Sequence, residues 1–128
     1  MARILLVEDD MSNRDMIGRR LRFEGYQVIT AADGARAVAL AGSERPDLIL
    51  MDMDLPVLSG WQATNRLKSG PETHMIPIIA LTAYALSEDQ ERCFNVGCDE
   101  YESKPIEFVS LLKKIQTLLN SQSKSAAA

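Results

Sequence analysis

Leu48, Ile49, Leu50 and Met51 form an apolar run without alternation that ends at an acid, Asp52, with Pro56 and Gly60 close behind. A strand with one wet face alternates apolar and polar residues. An unbroken apolar run of strand length instead suits a strand buried on both faces, as in a parallel sheet covered by helices. Pro56 and Gly60 break the pattern, so Asp52 stands where the strand stops and a loop begins. In an open α/β sheet, that carboxyl edge is where ligands collect. An acid there can equally be a plain strand terminator or a helix cap. Asp52 alone does not separate these readings, but the other acids do.

The same kind of run recurs along the chain. Arg3–Val7 reads as a buried strand that stops at Glu8, Asp9 and Asp10. Ser12 is placed to cap the helix that follows. Met16, Ile17 and Leu21 share its inner face, and Gly25 ends it. Its arginines, 14, 19, 20 and 22, alternate with Asp15 and Glu24 as on a solvated helix face. Gln27–Ala31 is a second strand. Asp33 and Gly34 open a second helix, through about Ser43, whose apolar face is mostly Ala with Val38. The central strand is Asp47–Asp52, and Gly60–Ser69 is a third helix with Ala63 and Leu67 inward. Trp61 is expected to pack partly at its start, and His74 to lie exposed in a loop.

Pro77–Leu81 is a fourth strand leading to Thr82 and Ala83. Ser87 and Gln90 form a capping-box pattern for a fourth helix to about Val96. This helix carries few apolar residues (Cys93, Phe94 and Val96), so it is expected to be weakly anchored. After Gly97, Glu100–Ser103 is a short fifth strand leading into Lys104 and Pro105. The last helix, Ile106–Asn120, has an inner stripe of Phe108, Leu111, Leu112, Ile115 and Leu119. Strand and helix thus alternate five times. The expected class is α/β, a doubly wound five-stranded parallel sheet in the flavodoxin-like order 2-1-3-4-5.

A chain of 128 residues, 46% hydrophobic and 25% charged, fits one globular domain. The expected domain is 1–120, with 121–128 a polar and Ala-rich tail. A net charge of -4 argues against direct nucleic-acid binding. No apolar run is long enough to span a membrane, and no signal peptide is evident, so a cytoplasmic location is expected. Cys93 and Cys98 have no second pair to complete a zinc site. Five residues apart on a helix they would not share a face, and they read as reduced packing thiols.

In the expected order the first and third strands are neighbours, so Glu8, Asp9 and Asp52 meet at one sheet edge. Two unit charges at ~4 Å repel by about 4 kcal/mol at an effective dielectric near 20. Three such groups need a counterion or a bound proton, and hard oxygen ligands of this kind suit Mg²⁺. The fourth strand delivers the Thr82 hydroxyl to this edge and the fifth delivers the Lys104 ammonium. Together they read as a phosphoryl-transfer site in which metal and lysine neutralise phosphate oxygens and one carboxylate attacks.

From about Arg3 to Leu119 the chain resembles the receiver domains of two-component response regulators. The resemblance rests on Glu8, Asp9 and Asp10 after the first strand, Asp52 with Pro56 and Gly60, Thr82-Ala83, and Lys104-Pro105. It implies that Asp52 accepts a phosphoryl group from a phosphohistidine on a histidine kinase or histidine phosphotransfer protein. Glu8, Asp9, Asp52 and the main-chain carbonyl of Asp54 would hold Mg²⁺. Thr82, Ala83 and Lys104 would bind the phosphoryl group. Thr82 and Tyr101 would form the switch, and the peptide before Pro105 would be cis. By the same resemblance Asp54 and Tyr84 would modulate the lifetime of the acyl phosphate.

A downstream protein would read the face made by the fourth helix, fifth strand and fifth helix, with the chain a monomer or weak dimer. The resemblance implies a regulator that catalyses only its own phosphoryl transfer and dephosphorylation. Three rival readings fit the residues less well. Asp52-Met53-Asp54 has the D-x-D form of haloacid-dehalogenase phosphatases, but Pro56 stands where that motif has Thr or Val. A flavin carrier on this fold would need a phosphate cradle where Glu8, Asp9 and Asp10 repel one. A binding module working without phosphorylation would not need all five site residues.

Overall fold

The computed structural model of the chain describes residues 2–83 and 87–127. Strands β1 (Arg3–Val7), β2 (Gln27–Ala31), β3 (Leu48–Asp52), β4 (Ile78–Thr82) and β5 (Glu100–Ser103) alternate with helices α1 (Met11–Phe23), α2 (Gly34–Glu44), α3 (Gly60–Ser69), α4 (Ser87–Asn95) and α5 (Phe108–Ala127). The strands form one parallel sheet in the order β2-β1-β3-β4-β5.

The unbroken apolar strands feed two cores. Leu5, Val7, Ile49, Met51, Ile78 and Ala80 point to one face, where Ala37 and Ala41 of α2, Ala63 and Leu67 of α3 and Cys93 of α4 meet them. Ile4, Leu6, Leu48, Leu50, Ile79 and Leu81 point to the other, against Ile17 and Leu21 of α1 and Leu111 and Ile115 of α5. Successive side chains of a strand leave opposite faces, so a strand covered twice must be apolar throughout. All five residues of β3 and of β4 are buried.

Local corrections concern caps and ends. Asp10, not Ser12, caps α1: its carboxylate accepts from the Asn13 N–H at 2.9 Å. Met16 is 51% exposed, and Gly18 joins Ile17 and Leu21 on the buried face. Asp33 caps α2, accepting from the Arg36 N–H at 2.7 Å. Strand β4 starts at Ile78 because Pro77 has no N–H for the ladder, and it takes in Thr82. Helix α4 begins at Ser87, whose side chain lies outside the described residues, so the expected cap is not placed. Helix α5 starts later than expected, beyond Pro105, and runs past Asn120 to Ala127, since Ser, Gln, Lys and Ala offer no breaker.

Helix α4 closes on Gly97 at φ 109° in a Schellman motif. The Cys98 N–H donates to Cys93 O at 2.9 Å, and the Gly97 N–H donates to Phe94 O at 3.1 Å. The turn brings Cys93 and Cys98 to one buried place, which helical spacing alone would not. Both thiols are free. Burial, then the neighbouring Cys93, pushes the Cys98 thiol up to about 12. No helix among the described residues is long and apolar enough to cross a membrane.

Candidate functional site

Register aligns the carboxyl ends of the strands. Val7 pairs with Met51, Asp52 with Leu81, and Thr82 with Ser103. The residues just past these pairs therefore share one edge. The Glu8 N–H donates to Ala31 O at 3.0 Å, which carries the β1 ladder one step further and fixes the acid against the sheet. Glu8 and Asp52 are buried, whereas Asp9 is exposed. One carboxylate oxygen from each of Glu8, Asp9 and Asp52 lies within 4.8 Å of the other two.

Lys104 answers this charge. Its N–H donates to Thr82 O at 2.8 Å, anchoring the backbone at the end of β4. Its ammonium reaches Glu8 Oε1 at 3.3 Å and Asp52 Oδ2 at 3.1 Å. The other oxygen of Asp52 accepts from the Asp54 N–H at 3.0 Å. Burial, then a hydrogen bond and the charge of Asp52, raises the Glu8 carboxyl to about 7, with Lys104 pulling the other way. Burial works against the Lys104 charge, yet Asp52 and Glu8 outweigh it and hold that ammonium above its ordinary value. The peptide between Lys104 and Pro105 is cis.

Thr82 is buried at the end of β4 beside this cluster, and Ala83 follows it at the surface. Asp54 is exposed in the loop after β3. Tyr101 stands earlier on β5 and takes no part in the acid cluster. Phe94 of α4 meets its ring edge-on at 6.2 Å, and the Lys114 ammonium of α5 lies 5.1 Å from its centre. Tyr84 lies outside the described residues.

Two glycines let the acceptor loop pack tightly. A Cβ on Gly60 would meet Asp52 O at 2.2 Å and Met53 Cα at 2.5 Å. A Cβ on Gly34 would meet Leu58 O at 2.0 Å. The loop after Asp52 is thus pressed between the starts of α2 and α3, and Ser59 and Gln62 close a capping box on α3.

Arg14 was not legible as a site residue. Its guanidinium donates to Glu8 O at 2.9 Å and to Asp9 O at 3.5 Å, so it braces the acidic turn rather than only facing water. Only the fold of α1 back over that turn reveals this. Beside Lys104, a cavity of about 400 Å³ opens between α1 and the turn after β5, lined partly by Asn13, Met16 and Ile106.

Residues 4–116 match the response regulator receiver domain family. The chain belongs to the response regulator receiver domains. The polar-differentiation response regulator DivK of Brucella anthropi is 40% identical over 116 residues, covering 91% of this chain and 94% of that protein. The receiver domain of sensor histidine kinase PA1611 from Pseudomonas aeruginosa PAO1 is 42% identical, with a TM-score of 0.87 over 93% of this chain and 98% of that one. That structure has a magnesium ion coordinated in its active-site cleft. The receiver domain of Saccharomyces cerevisiae Ssk1, solved with the histidine phosphotransfer protein Ypd1, is 30% identical, with a TM-score of 0.88 over 94% of this chain and 90% of that one.

The general role of this receiver domain is phosphorylation-dependent signalling in a two-component system. Membership in a regulator family sets aside the phosphatase and flavin-carrier readings. The donor set of the receiver domain also fits a hard divalent cation. Three carboxylates converge, all oxygen donors, and they carry more negative charge than Lys104 alone offsets.

Proposed function

We propose that this receiver domain is a switch in which Asp52 takes a phosphoryl group from a phosphohistidine of a histidine kinase or histidine phosphotransfer protein. The observation that carries this reading is the convergence of the Glu8, Asp9 and Asp52 oxygens within 4.8 Å, with Lys104 at 3.1 Å from Asp52. The contacts from Lys104 and the Asp54 N–H orient the Asp52 carboxylate for attack on phosphorus. The new bond joins a carboxylate oxygen to phosphorus. The phosphorus–nitrogen bond to the donor imidazole breaks, and that ring keeps the electron pair and takes a proton.

Glu8, Asp9, Asp52 and the main-chain carbonyl of Asp54 would hold Mg²⁺. When bound, the ion offsets the carboxylate repulsion and neutralises charge on the phosphoryl oxygens. Lys104 pairs with the phosphoryl group, and the Thr82 hydroxyl and Ala83 N–H donate to it. A phosphoryl group adds roughly -1.5 to -2 charge, enough to draw Thr82 toward it. Tyr101 then turns inward, and the face formed by α4, β5 and α5 changes for a downstream protein. Residues 1–120 form the working unit, a monomer or weak dimer acting in the cytoplasm.

The test is transfer from a phosphorylated histidine phosphotransfer protein to wild type and to Asp52→Asn, with Mg²⁺ present. Wild type should take the label and the variant should not. Equal labelling of both would remove Asp52 as acceptor.

A further inference from the structure

Helix α4 has few ties to the body of the domain. Among its described residues only Cys93 is fully buried, and Phe94 is 48% exposed. Its first turn carries Glu88 and Asp89, and Glu91 follows, so its surface is mostly acidic. Beside the buried Cys93, the Arg92 side chain reaches back from it to α3. The Arg92 guanidinium lies 4.0 Å from the centre of the Trp61 ring.

Trp61 is the second residue of α3, beside Gly60, whose N–H donates to Met53 O at 3.1 Å. Gly60 also packs against Asp52 O too closely to admit a Cβ. Trp61 itself packs on the core below. The backbone at Asp52, the start of α3, the Trp61 ring and Arg92 therefore form one chain of contacts ending on α4.

We propose that Arg92 is a positioning residue. Stacked on Trp61, it holds α4 in its resting place and links the Asp52 loop to that helix by a path that does not pass through Thr82 or Tyr101. Indole offers a cation the best of the aromatic faces, and at a partly exposed place the contact biases a two-state equilibrium by roughly two- to five-fold. Such a bias matters in a helix with so little apolar surface beneath it. The inference rests on the reading that charge on Asp52 alters α4, and the experiment separates the two.

The chain has one tryptophan, so indole emission comes from Trp61, the ring that Arg92 covers. Wild type, Arg92→Gln, Arg92→Lys and Tyr101→Ala are compared without and with Mg²⁺ and beryllofluoride, a phosphoryl mimic. Amide exchange of α4 and Trp61 emission are followed in each. Without the mimic, Arg92→Gln should speed α4 exchange by about two- to five-fold, and Arg92→Lys should recover part of the protection. With the mimic, Trp61 emission should change in wild type and in Tyr101→Ala but not in Arg92→Gln. Unchanged resting exchange in Arg92→Gln overturns the inference, whatever the mimic does. So does a Trp61 response to the mimic that is equal in Arg92→Gln and wild type. If α4 in wild type ignores the mimic while Arg92→Gln still loosens it at rest, the switch reading fails and Arg92 keeps only its resting role.

Discussion

The Lys104 ammonium stands 3.1 Å from Oδ2 of Asp52, reaching from the end of β5 past β4 to the end of β3, and is the one cation within ion-pair distance of that carboxylate among the described residues. It also reaches Glu8, so a single positive charge serves two buried carboxylates. The charge balance at the sheet edge hangs on it until a cation binds. Replacing it with methionine leaves both acids without their counterion. In chelator, Lys104→Met should melt lower than wild type, by about 1–3 kcal/mol in stability. Added Mg²⁺ should raise the melting point of the variant more than that of wild type. Thermal melts with and without Mg²⁺ check this.

The Glu8 carboxyl, raised by burial and by Asp52 from its ordinary 4.5 to about 7, gives a pH dependence with a definite sign. The folded chain holds this proton more tightly than the unfolded chain does. The stabilisation is therefore complete below the unfolded value of 4.5 and is lost as pH rises toward the folded value of about 7. Metal-free protein should lose stability across that window, and Glu8→Gln should flatten the loss. Mg²⁺ must displace the same proton, so its apparent affinity should climb with pH up to about 7 and then level off. Melts and Mg²⁺ titrations over a pH series check both.

Gly60 has no room for a side chain, since a Cβ would sit 2.2 Å from Asp52 O. Gly60→Ala should cost on the order of 2 kcal/mol, as overpacking does. It should also slow labelling of Asp52, because the only relief is to move the acceptor backbone. Gly42→Ala, where a Cβ meets nothing within 4 Å, is the control and should leave labelling unchanged.

Lys114 on α5 binds Glu102 Oε2 at 2.7 Å and Tyr101 O at 2.6 Å, and Ser110 Oγ donates to the same Glu102 oxygen at 3.1 Å. Glu102 is buried, so Lys114→Met should cost about 3 kcal/mol by leaving a charge without its partner. The double variant Glu102→Leu with Lys114→Met should recover most of that loss. Denaturant titrations of the three proteins test it. A double variant as unstable as the single one would show that the loss comes from packing.

The strand runs were legible because a buried parallel strand must be apolar on both faces, and Leu48 to Met51 can be little else. Glu8, Asp9, Asp52 and Lys104 were legible as neighbours because chain order and the expected strand order place their strand ends together. Arg14 was hidden, since bracing Glu8 O and Asp9 O depends on how α1 crosses the acidic turn, and sequence shows only one arginine among several. The closeness of the free thiols Cys93 and Cys98 was hidden for a similar reason: Gly97 turns the chain back, and helical spacing ends there. Ser12 lost the capping place to Asp10 because either side chain can cap and only the start of the helix decides.

The most direct test of the central claim is to treat the protein with a small acyl-phosphate donor, in Mg²⁺ and in chelator, and locate the added phosphoryl group by mass spectrometry of peptides. The account predicts modification of the peptide carrying Asp52, in Mg²⁺ only, and none in Asp52→Asn. A phosphoryl group found on another residue, or the same yield in chelator, would contradict it.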